Sequence, residues 1–485
     1  MYYRVLVLLA VFWASAVQAG NNAGGAFTVW PDTAQSKCYD NNGEIPCPAE
    51  GQDFYGQDAQ YQGPARSYTK LDGSGNPLPE DAASWVMVRD NVTGLIWEVK
   101  ENGDGTEDYT NSNDADNIYT WCDTNPDTNG GDQGSCGEHD TEDFIDALNS
   151  TNFGGHNDWR LPTLKELLTI VDYARENPAI DTAFFPDTAW IPIYWSATTD
   201  ADNDSRAWLV SFSLGFDASG DKSLLKRYVR AVRGGSGSTA LFTGNGDGTV
   251  TDTATGLMWT RASADTDTDG TPDTMSWQAA LNWCQNLELA GYTDWRLPNI
   301  NELHSIVDYA RHDPAIDPTF SPDTINASYW SATTSSRADN TSKALGVYFG
   351  PGNNNNNPKL NYNYHVRCVR GGQFAAFAFD PITDQIAGKP FQIRITARDT
   401  EGNIWSVYNG SVQLSSTIGI IIPGVVQLVM GQAIVDVVLV SSGETRLYAD
   451  DGIHPQGQSN VFTVSLPPEE SKPFSWPMFL PWCAR

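Results

Sequence analysis

Asp158-Trp159-Arg160-Leu161-Pro162-Thr163-Leu164-Lys165-Glu166-Leu167 reads as a strand that turns into a helix. Trp159-Arg-Leu is strand-like, Pro162 ends it, and Thr163 with Glu166 three residues on forms a capping box. Leu164, Leu167, Leu168, Val171 and Ala174 follow at helical spacing, which predicts a helix over 164–174. Pro178 stops it. Arg160 and Glu166 have the chemistry of a catalytic pair, but an ion pair that ties the joint together accounts for them more simply.

The same joint returns as Asp294-Trp-Arg-Leu-Pro298, with Asn299 and Glu302 as the box. Outward from it, whole stretches recur. Asp90-Asn-Val-Thr-Gly-Leu-Ile-Trp97 matches Asp252-Thr-Ala-Thr-Gly-Leu-Met-Trp259, and Ile170-Val-Asp-Tyr-Ala-Arg175 matches Ile306-Val-Asp-Tyr-Ala-Arg311. Pro178-Ala-Ile-Asp181 returns at Pro314, Tyr194-Trp-Ser-Ala-Thr-Thr199 at Tyr329, and Val229-Arg-Ala-Val-Arg-Gly-Gly235 as Val366-Arg-Cys-Val-Arg-Gly-Gly372. From the joint to the closing strand the offset stays between 135 and 137, so this half of the repeat is nearly free of insertions. Before the joint, copy one carries extra Asp/Asn/Gly-rich loop. A fixed self-similarity of this kind means two copies of one domain. Trp208, Val210, Phe212 and Leu214 alternate as a half-buried strand should. Two helices followed by several short strands predict a mixed α+β domain.

The combined run Trp-Arg-Leu-Pro-[Thr/Asn]-x-x-Glu-Leu, Tyr-Trp-Ser and Val-Arg-[Cys/Ala]-Val-Arg resembles the Lcl C-terminal domain family, over roughly residues 27–235 and 241–372. That family is named after a bacterial collagen-like adhesin. The resemblance implies an exported protein, two C-type lectin-like domains in tandem, and a binding or adhesion role at the cell surface, with glycans among the expected ligands. The collagen-like stalk is absent from this sequence, and the shared motifs are the skeleton of the fold, so they carry over no binding residue. Trp-Arg-Leu-Pro-Thr also resembles the formylglycine-generating enzymes. Those need paired reactive cysteines, and copy one has none at the positions of Cys284 and Cys368. The expectation is a protein that is not an enzyme.

Seven cysteines in an exported chain point to disulfides. Cys38 and Cys47 bracket one turn-rich loop, Cys122 and Cys136 another, and pairing within each loop is the economical arrangement. Cys284 and Cys368 are both present in copy two and both missing from copy one, where Ala231 replaces Cys368; they are expected to bond to each other. Cys483 is left over.

Residues 1–19 read as a signal peptide: Arg4, an apolar run from Val5 to Trp13, then Val17-Gln18-Ala19 as the cleavage site. The apolar run is too short to span a bilayer. A net charge of −31 disfavours nucleic acid and anionic membranes as partners. A glycan or a surface protein is the expected partner, in the extracellular space, on the cell surface or in the periplasm.

Asp265-Thr-Asp-Thr-Asp-Gly-Thr-Pro-Asp273 places Asp265, Asp267, Asp269 and Asp273 at positions 1, 3, 5 and 9 of a calcium loop, with Gly270 at position 6. Position 12 is Ser276 instead of Glu, so calcium is the candidate cofactor with its bidentate ligand missing. Asp104, Asp114, Asp116, Asp127 and Asp132 make looser acidic loops in copy one. Trp195 and Trp330 are candidates for stacking on sugars, although Trp in a duplicated motif is more often core. Lys222, Lys226, Arg227, Arg230 and Arg233 are candidates for sulfate groups, but on a strand they split between faces. The histidines, His156, His304 and His365 among them, are scattered singly.

From Phe374 the texture changes to period-two runs separated by turns, at Lys389–Asp399, 410–416 and 431–439. Residues 374–466 resemble the bacterial immunoglobulin-like modules of surface proteins, an all-β sandwich. The tail over 467–485 is Pro- and Trp-rich and reads as flexible.

Overall fold

The computed structural model describes residues 30–467, apart from 62, 189–192, 236–241, 253–254, 321–323, 336–340, 372–373, 400–401, 403, 406–407, 409, 430 and 452–455. The signal peptide and the tail with Cys483 lie outside the described residues.

Each copy is built around two small antiparallel sheets and two short helices, and copy one adds a two-stranded pair, Tyr119–Thr120 with Lys226–Arg227. In copy one the strands Tyr68–Leu71, Met87–Asp90, Ile96–Glu98 and Val232–Arg233 form the first sheet, with the chain's closing strand at one edge. Copy two repeats it with Phe242–Gly244, Thr249–Asp252, Met258–Thr260 and Val369–Arg370. The Asp-x-x-Thr-Gly motif is the hairpin turn of this sheet. The Asp90 carboxylate accepts from the Val92 amide (2.9 Å) and the Thr93 hydroxyl (2.8 Å), and Gly94 takes the left-handed backbone (φ 75°) that closes the turn. The second sheet is a three-stranded meander, Ile193–Asp200, Asn203–Ser211 and Phe216–Asp221, matched by Ser328–Thr334, Lys343–Tyr348 and Asn353–Pro358.

The helices are α1 (Thr141–Ser150) and α2 (Leu164–Thr169) in copy one, and α3 (Trp277–Gln285) and α4 (Ile300–Ser305) in copy two. The α+β, C-type lectin-like expectation is corrected by this content: strands take 35% and helices 10%, with four α-helices among the described residues. The domains are mostly β. The helix predicted over 164–174 ends at Thr169, with Ile170 at its C-cap. Ile170 and Val171 are β-branched and leave the helix for a turn.

The two copies are not beads on a string. Val88, Trp97, Leu164, Leu167 and Val210 of copy one share one continuous core with Val250, Trp259, Ile300, Leu303 and Val347 of copy two. Equivalent residues meet where the copies face each other: Asn354 donates its amide to the Asp217 carboxylate (2.7 Å) and accepts the Asp217 amide in return (3.3 Å). Helix α2 touches its own counterpart α4. This is the geometry of an isologous dimer within one chain.

The N-terminal arm, residues 30–61, lies on copy two, although it precedes copy one in sequence. Asn301 donates to the Pro31 carbonyl (2.8 Å), Thr333 to the Asp58 carboxylate (2.6 Å) and Lys359 to the Asp40 carbonyl (3.0 Å). Gln35 bridges both copies through the carbonyls of Tyr173 and Thr334.

The C-terminal module is all-β, as its alternation implies. Among the described residues its strands form three sheets: a four-stranded one around Pro390–Asp399 and Gln432–Leu439, a three-stranded one at Phe462–Ser465, and a four-stranded one around Ser411–Ser416. They enclose a separate core that includes Ile395, Val412, Leu428, Val437 and Leu447.

Candidate functional site

At the joint of copy one, the Arg160 guanidinium donates to both oxygens of Glu166, each at 2.7 Å. Glu166 also accepts from the Thr163 amide (2.8 Å), while Thr163 caps the Glu166 amide (3.3 Å). Copy two repeats the set with Arg296, Glu302 and Asn299, at 2.7 and 2.6 Å for the ion pair. Next to it Arg233 pairs with Asp158 (2.7 Å) and Arg370 with Asp294 (2.8 Å). The repeated Arg and Glu are matched to each other, and the repeated Asp to an arginine of the closing strand. The joint is a structural clasp.

The structure holds the disulfides Cys38–Cys47, Cys122–Cys136 and Cys284–Cys368. The first two occupy equivalent places. Lys222 lies over the Trp121 ring (4.0 Å) and donates to the Asn129 and Asp132 carbonyls of the Cys122–Cys136 loop (2.8 and 2.7 Å). Its repeat counterpart Lys359 lies over Trp277 (4.0 Å) and reaches Asp40 in the Cys38–Cys47 loop. The arm therefore supplies to copy two the disulfide loop that copy one carries within itself.

In the predicted calcium loop, the carboxylates of Asp265, Asp267 and Asp269 come within 4.8 Å of one another. Asp265 accepts from the Gly270 amide (2.9 Å), with Gly270 in the left-handed region (φ 89°). Asp273 is turned away from the cluster: the Thr266 hydroxyl and amide hold its carboxyl below the usual range. Ser276, at the twelfth position, caps α3 by accepting from the Ala279 amide (3.4 Å). Three of the four predicted carboxylates meet. The acidic residues of copy one cap turns, Asp116 on the Gly105 amide and Asp132 on the Gly134 amide (2.7 Å each).

Trp195 and Trp330 are fully buried, their indoles donating to the carbonyls of Tyr119 (3.0 Å) and Met275 (2.9 Å). The basic run does not form a patch: Lys222 and Arg230 are buried, Arg233 pairs with Asp158, and only Lys226 and Arg227 are left near the surface. His304 is buried against the Tyr309 hydroxyl (3.0 Å), and burial pushes its imidazole down to about 3.

What the residue-by-residue reading missed is a groove in copy one, about 550 Å³ in volume, between α1 and the Cys122–Cys136 loop. Ile145 and Asn149 line one wall and Arg160 and Leu161 the floor, with Trp121 at one end. The sequence signal for it was the register gap before the joint, where the copies differ.

A family model, the Lcl C-terminal domain, matches residues 86–233 and 248–370. These stretches cover more than half of the chain, and the chain belongs to that family. No curated protein matches it. Among solved structures, it is similar at 12% identity to the C-terminal 282-residue fragment of intimin in complex with the translocated intimin receptor's intimin-binding domain, over 19% of this chain and 33% of that one, with a TM-score of 0.16. The chain thus spans about a third of that fragment. Domains 4 and 5 of the S-layer protein SbsC match at 15% identity over 25% of this chain and 57% of theirs, also with a TM-score of 0.16. Among the described residues, no helix is long and apolar enough to cross a membrane.

Proposed function

We propose that this is an exported, non-catalytic surface or envelope protein whose two fused Lcl-type domains bind a partner. The observation that carries the reading is the set of three disulfides, two of them closing loops at equivalent places of the repeat. Such bonds persist in oxidising compartments outside the cytosol.

A protein partner is favoured over a glycan. The tryptophans offered for sugar stacking are core residues, and three of the five basic residues offered for sulfate, Lys222, Arg230 and Arg233, are buried or paired within the fold. A purely structural envelope role is the other reading, and it predicts no partner at all.

Intact source cells treated with a membrane-impermeant biotin reagent test the compartment. The chain is expected in the labelled fraction, with its paired cysteines resistant to maleimide until a reductant is added. Recovery only from the cytosol, with all thiols free, overturns the proposal. Pull-down with the mature chain then separates a binding role from a purely structural one.

A further inference from the structure

The two copies carry the same groove, and in copy two it is full. The arm segment 54–61 lies in it: Phe54 packs on Trp277 (ring centroids 6.3 Å), Asp58 accepts from Thr333, and Tyr61 sits beneath Arg296 (5.1 Å) with its hydroxyl accepting from Gln285 (2.5 Å). Gly56 passes so close to Gln285 that an added Cβ would stand 2.8 Å from its amide nitrogen. Copy one has the matching indole, guanidinium and hydroxyl in Trp121, Arg160 and Thr198, but among the described residues no arm segment lies on them.

The exposure of equivalent residues records the difference. The Arg296 side chain is 5% exposed and that of Arg160 21%. Leu281, Leu297, Ala332 and Thr333 are buried, whereas their counterparts Ile145, Leu161, Ala197 and Thr198 are each only half-buried. Five positions change in the same direction: Ile145, Arg160, Leu161 and Ala197 line the open groove, and the counterpart of Thr198, Thr333, touches the arm. A core-grade apolar floor left half-covered beside a polar rim is what a docking groove looks like.

We propose that the groove of copy one receives an extended polypeptide segment of a partner protein, seated as residues 54–61 are seated in copy two, with an aromatic side chain on Arg160. The inference deepens the binding role proposed above and rests on it. The rim sets the partner's charge. Where copy two has Gln278 and Asn282, copy one has Glu142 and Asp146, both lining the groove, so the segment is basic where the arm, with Asp53 and Asp58, is acidic. The arm is already matched to copy two and is electrostatically the poorer fit in copy one. Stacking of an aromatic ring on the guanidinium supplies an anchor of the kind that dominates peptide interfaces.

The test uses the mature full-length chain and two fluorescent peptides: residues 52–63, and the same peptide carrying Asp53→Lys, each with a benzophenone side chain at position 61. One equivalent of peptide is expected to bind, the Asp53→Lys form several-fold tighter, with cross-links mapped to residues 141–163. Ile145→Arg, on the half-exposed side of α1, is expected to weaken binding at least tenfold. No binding at millimolar peptide, cross-links confined to residues 277–300, or an unchanged affinity in Ile145→Arg each overturn the proposal. Surface labelling does not depend on this groove, so failure here leaves the compartment standing.

Discussion

Glu166 is fully buried, and Arg160 is the cation beside it. Removing one partner of such a pair strands a charge in the interior, which costs far more than the pair contributes. Arg160→Ala is expected to lower stability by about 3 kcal/mol, read as a shift in urea midpoint. Asp217 carries the opposite lesson. Burial pushes its carboxyl up to about 7, and its repeat counterpart is the neutral Asn354. Its folded value lies above its unfolded one. Its contribution to stability is therefore complete below about pH 4 and is lost as pH rises through about 7. Asp217→Asn is expected to raise stability by about 2 kcal/mol at pH 8 and to change little at pH 4. Equal gains at both pH values would refute the assignment. The clasp was legible in the sequence, because the capping box and the repeated Arg and Glu are local. The Asp217–Asn354 contact was not, since two polar residues on separate strands announce nothing about facing each other.

Helix α2 stops after six residues, and this is where pattern reading went furthest astray. Apolar spacing from Leu164 onward fits a helix, yet the β-branched Ile170 and Val171 join the shared core from outside it. Tertiary packing outweighed the local signal. The disulfides were easier to read: loops bracketed by cysteines, and a pair of cysteines present in one copy alone, are patterns that survive without coordinates. Cys284–Cys368 ties α3 to the closing strand across a separation of 84 residues. Replacing both by Ala is expected to cost about 4 kcal/mol, and the loss should show in protease resistance of copy two before copy one. The groove beside α1 left only the register gap before the joint as its trace in the sequence. A concave surface is defined by what is missing from it, and only the filled counterpart shows what belongs there.

Across the whole molecule, one core runs through both copies while the C-terminal module keeps its own. Calorimetry is expected to show two transitions, one for residues 30–371 and one for the module, and three separate transitions would mean that the shared core does not couple the copies. The sequence announced the duplication plainly but not this fusion, because the interface uses residues that read as ordinary strand and helix positions. The arm adds a constraint in time. Asp58 and Thr333 are 275 residues apart, so at about 5–20 residues per second the ribosome adds the arm's receptor roughly 15–55 s after the arm itself. During that interval an aromatic, Gly-containing segment waits without its seat, and the first groove of the right shape to emerge belongs to copy one. Order of synthesis thus offers the arm the groove of copy one before its own seat, and the arm's poorer fit there is what keeps that groove open.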